Sequence, residues 1–60
     1  MTQKDYVALA RALNETRPAD ADASALATWT ATLDAVAAVL AADNPRFNAD
    51  RFYTAAALNR

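Results

Sequence analysis

The sequence predicts an all-α fold, a small domain of three helices, and three observations point to it. First, eighteen of the 60 residues are Ala and none is Gly; Ala is the strongest helix former and Gly among the weakest. Second, apolar residues recur at helical spacing in two long stretches. Third, Pro18 and Pro45 each impose a stop, because proline lacks the amide proton a helix interior needs and pushes its predecessor out of helical geometry. Two longer antiparallel helices and a short C-terminal one follow, in a single domain spanning residues 1–60.

The first helix is expected over about residues 3–16. Thr2 is its N-cap, and Asp5, three residues on, makes a variant of the capping box. Tyr6, Leu9, Ala10 and Leu13 fall at i, i+3, i+4, i+7 and share a face, which Val7 widens. Pro18 ends the element, and a connection this short makes the first two helices antiparallel neighbours.

The second helix is expected over about residues 23–42. Asp20 or Asp22 caps it and places negative charge at the positive end of the helix dipole. Leu26, Trp29, Leu33, Val36 and Leu40 repeat at 3-4-3-4 spacing, an a/d seam two heptads long, which is the stripe of a small core. Between Ala23 and Ala42 only Asp34 is charged. A helix apolar nearly all round is usually covered on more than one side, here by the other two helices or by another subunit. The stretch has the length of a membrane span. Its Ala and Thr content, the mid-helix Asp34 and the acidic flanks argue against insertion, so no membrane is expected.

Asp43-Asn44-Pro45 stops the second helix, with Asn44 read as a left-handed C-cap. The third helix is expected over about residues 49–58, with Asn48 as N-cap and Asp50 in the first turn. Phe47 and Phe52 then stand at the two positions of a hydrophobic staple. Phe52, Ala55 or Ala56, and Leu58 face the core, while Tyr53 points to one side.

Composition narrows the function classes. Without His or Cys the commonest general base and strongest nucleophile are missing, and without Gly no phosphate-binding loop can form. No enzyme and no cofactor are expected. A metal would have to use oxygen ligands alone. Asp43, Asn44, Asn48 and Asp50 offer them, but helix stop and helix cap account for all four. The net charge of −1 gives no basic face for nucleic acid. A helix-turn-helix remains the alternative, with the third helix as reader, Asn48, Arg51, Tyr53, Thr54, Asn59 and Arg60 outward, and Arg46 and Arg51 touching phosphate. The residues expected to meet a partner are Arg46, Arg51, Tyr53 and Trp29, since Trp, Tyr and Arg dominate interface energetics. For Trp29, a place in the core is the favoured reading. With no leader segment visible at the N-terminus and no Cys, a cytoplasmic protein is expected.

Two segments resemble a known group. Lys4-Asp5-Tyr6-Val7-Ala8-Leu9-Ala10, and more closely the run from Ala42-Asp43-Asn44-Pro45-Arg46-Phe47-Asn48 to Arg51-Phe52-Tyr53-Thr54-Ala55-Ala56, are similar to small proteins of tailed bacteriophages and prophages. In that group the turn reads roughly Asp-Asn-Pro-x-Phe-Asp, then Arg-Phe, with Ala-Cys-Gly often at the end. Here Asn48 replaces Asp, and Ala56-Ala57 replaces Cys-Gly. The resemblance covers about half the chain and implies a phage or prophage accessory protein in a bacterial cytoplasm. It implies no specific activity. With the poor catalytic inventory, the expected function is non-enzymatic protein–protein contact, with a host or phage protein or as a homodimer.

Overall fold

The computed structural model describes residues 2–57. Three helices follow in order, α1 (Gln3–Glu15), α2 (Ala23–Asp43) and α3 (Ala49–Ala56). No strand occurs among the described residues. The expected elements are all present, with ends displaced by one residue in α1 and α2, and α3 stops at Ala56, short of the expected residue 58. Leu58, expected in the core, and Asn59 and Arg60, expected outward, lie outside the described residues.

Each helix start follows from a nearby oxygen acceptor. The Asp5 carboxylate accepts from the Thr2 amide at 3.0 Å and the Thr2 hydroxyl at 3.3 Å. Asp22 caps α2, accepting from the Ala25 amide at 3.0 Å. Asp20 pairs instead with Arg17 at 2.7 Å. Asn48 caps α3, accepting from the Arg51 amide at 3.1 Å. Each cap satisfies an amide that the first turn leaves without a helical partner.

The stop at Asn44 differs from expectation. Its φ and ψ are −142° and 112°, an extended conformation, and no positive φ occurs among the described residues. Pro45 explains this, since a residue before proline is driven to the β region. The Asn44 side chain does the remaining work. Its Oδ1 accepts from the Arg46 amide at 2.9 Å, and its Nδ2 donates to the Tyr6 hydroxyl at 3.1 Å.

α3 packs chiefly on α1 and also on α2, so the short helix joins the two long ones. The core is built around Leu33, Ala37 and Leu40 of α2, Ala10 of α1, and Phe52 and Ala56 of α3. Leu9, Leu13, Trp29 and Val36 are half-buried against it. The staple forms: Phe47 and Phe52 meet edge to face at 5.4 Å, and Tyr6 adds a third ring 5.0 Å from Phe47. Edge-to-face contact suits the quadrupoles of such rings. Two side chains tie α1 to its neighbours. Asn14 is buried and donates to the Ala56 carbonyl at the end of α3, at 3.0 Å. Trp29 donates from Nε1 to the Leu13 carbonyl at 2.9 Å. The Trp29 bond joins the end of α1 to the first half of α2, and Tyr6–Asn44 joins the start of α1 to the end of α2. The two helices therefore run antiparallel, as expected.

Candidate functional site

α2 is 21 residues long, yet only Leu33, Ala37 and Leu40 of it are buried. One chain covers one side of it. On a 100° helical wheel, Ser24, Thr28, Ala31, Ala35, Ala38 and Ala42 fall opposite the buried stripe, and all six are exposed. Their spacing is 4-3-4-3-4, a second seam of heptad type made of small residues. Val39 flanks this seam and is 67% exposed, with Val7 one of two large aliphatic side chains so open among the described residues.

The threonine hydroxyls of α2 are already engaged. The hydroxyls of Thr28, Thr30 and Thr32 donate to the carbonyls four residues back, at 3.3, 2.8 and 3.0 Å. Their donors are turned into the helix, which leaves methyl groups outward. Asp34 lies to the side and accepts from the Tyr53 hydroxyl of α3 at 2.7 Å. That hydrogen bond, with some desolvation and the neighbouring negative charge, raises the Tyr53 pKa above its ordinary value. From Ser24 to Ala42 the outer seam carries no charge. By length and composition alone α2 could also cross a bilayer, with mean hydropathy 1.5 over 18 residues.

The four residues expected to meet a partner divide into two pairs. Trp29 is half-buried, bonded to α1, with the Arg17 guanidinium 5.8 Å from its ring centroid; it packs at the edge of the core. Tyr53 is half-buried and joins α3 to α2 through Asp34. Arg46 and Arg51 are exposed, and both line one cleft between α1 and α3. Val7, expected to widen the core stripe, is 57% exposed and lines the same cleft. It stands at i, i+3, i+7 with the buried Ala10 and Asn14 and so shares their line on α1, but at the end of that line where the cleft leaves it uncovered. As a DNA-reading element, α3 would be eight residues long, with Arg51 its one exposed base and Asp50 its neighbour.

Two features escaped the sequence reading. The seam of small residues is legible as 4-3-4-3-4 spacing, but the larger apolar seam has the same period and dominates the pattern. Asn14 follows Ala10 by four residues, so a polar group on the buried face was visible as a spacing. Among the described residues, no group of three or more acidic side chains could hold a metal ion.

Comparison with protein-family models, with characterised proteins and with solved structures finds no match to this chain.

Proposed function

We propose that this chain is a non-enzymatic accessory domain that works by protein–protein contact, and that the outer seam of α2 pairs it with a second copy of itself. The uncharged seam carries this reading. A seam of small residues lets two helix backbones approach closely, and an uncharged surface facing its own copy meets no like charge. Val39 adds the large apolar group that two facing copies would remove from water. Each full burial of such a side chain is worth about 1.5–3 kcal/mol. A symmetric pair is the simplest closed arrangement. It would supply the second cover that a nearly uncharged helix requires.

The resemblance of residues 42–56 to small phage proteins supports an accessory role in a bacterial cytoplasm. A soluble pair is favoured over a membrane span by Asp34, since a charge at mid-helix costs about 2.5–3.5 kcal/mol on the insertion scale. Packing of Leu33 and Leu40 with Phe52 in one core argues the same way.

Sedimentation equilibrium over micromolar concentrations tests the reading. The expected result is a reversible monomer–dimer equilibrium that Ala35→Glu shifts to monomer while its helical content is retained. A chain that stays monomeric throughout, or that floats with phospholipid vesicles, would overturn it.

A further inference from the structure

The cleft between α1 and α3 lies apart from the α2 seam, and its chemistry is of another kind. It encloses about 450 Å³ and is half open to solvent. Its apolar wall is formed by Val7, Phe47 and Phe52, and its polar lining includes Arg46, Arg51 and Gln3. Among the described residues no carboxylate lines it. Among the described residues neither guanidinium has an ion-pair partner. The Asn48 side chain, also in the lining, uses its oxygen to cap α3, so its amide protons are what it has left to offer. Donors therefore dominate the lining, beside an apolar wall that includes an open Val7.

We propose that this cleft binds an acidic peptide segment of a partner protein, with an aromatic or large aliphatic side chain against Val7, Phe47 and Phe52 and flanking carboxylates on Arg46 and Arg51. Arginine forks match carboxylates in bidentate geometry, and such charge-assisted bonds are about twice as strong as neutral ones. The apolar wall supplies the anchor pocket that peptide recognition requires. A nucleic acid fits less well, because two arginines on a chain of net charge −1 make no basic stripe. A half-open cleft lets a chain run through it, so a peptide is favoured over an enclosed small molecule.

The test uses the full chain and a panel of capped, fluorescein-labelled octapeptides, each with four Asp or Glu residues around a central Phe, Trp or Leu. Binding is followed by anisotropy and by amide chemical-shift changes. The expected result is binding by at least one peptide, with shifts concentrated at residues 3–10 and 46–55. Arg46→Ala/Arg51→Ala is expected to weaken it about tenfold or more, whereas Arg11→Ala leaves it unchanged. Replacing the peptide's acids by Lys is expected to abolish binding. Matching thermal melts show that the variants, both changed at exposed positions, keep the fold. Absence of shifts with millimolar peptide, equal affinity in the double variant, or displacement by a short DNA duplex would overturn the proposal. So would a change in sedimentation of Arg46→Ala/Arg51→Ala, which would assign the cleft to a second copy of this chain.

Discussion

Asn14 shows what one side chain contributes. Its amide reaches from the last turn of α1 to the Ala56 carbonyl, which would otherwise end α3 as a buried acceptor. Removing a partner from a buried polar group costs about 1–3 kcal/mol. Asn14→Ala is therefore expected to lose about that much in urea denaturation, more than Lys4→Ala on the exposed face of the same helix. Phe52 is 4% exposed, and its replacement by Ala is expected to cost about 3–5 kcal/mol. Phe47 is only half-buried and should cost less. Tyr53 makes a different test. Its hydrogen bond to Asp34 favours the neutral phenol, so its pKa lies above the ordinary value of 10.0. A group whose pKa is raised on folding lends stability that is complete below the unfolded value and fades as pH rises through the folded one. In an alkaline absorbance titration, one of the two tyrosines should ionise late, and Asp34→Asn should restore it to the ordinary range. Unaltered titration in that variant would show that the contact does not form in solution.

At the scale of elements, the stops and caps were the most legible features, because Pro, Asp and Asn act through local backbone chemistry. Pro18 and Pro45 separated the helices, and the hydrophobic staple was visible from the spacing of Phe47 and Phe52. The conformation of Asn44 was misjudged because two local rules compete there: a tolerance for the left-handed region and a proline that forbids helical geometry before it. Extended geometry won, and it freed the side chain to reach Tyr6. The choice between Asp20 and Asp22 was open from sequence, since either can cap. The structure makes it testable. Asp22→Ala is expected to cost about 0.5–2 kcal/mol through loss of a cap, while Asp20→Ala removes only an exposed ion pair, worth about 0–1 kcal/mol. Equal losses would contradict the assignment. Val7 was misjudged for a geometric reason. It lies on the same line of α1 as the buried Ala10 and Asn14, but at the end of that line where the cleft separates α1 from α3, so its face was right and its cover is missing. The candidate site was less legible. Arg46 and Arg51 were singled out as residue types, but only the docking of α3 on α1 puts them on one cleft with Val7.

For the whole molecule, the shortage of large side chains shapes everything else. Fifteen of the hydrophobic residues are larger than Ala, and the core takes Leu33, Leu40 and Phe52 as its large buried members. A domain this small leaves about 40% of its unfolded surface exposed, and α2 carries much of that exposure as small apolar groups. Self-pairing would convert this exposure into stability, making the melting temperature rise with protein concentration. The acidic-peptide cleft lies elsewhere, so a dimer would present two such sites. Because the native chain contains no Cys, a single introduced thiol reports cleanly on the pairing. Ala35 is near the middle of the outer seam, so its copy would lie within about one helical turn, roughly 5 Å along the axis, whether the helices run parallel or antiparallel. With a short bis-maleimide at micromolar protein, Ala35→Cys is expected to give a covalent dimer rapidly and in high yield, while Ala12→Cys on the exposed side of α1 gives little. Equal, slow cross-linking of both variants would contradict pairing through α2.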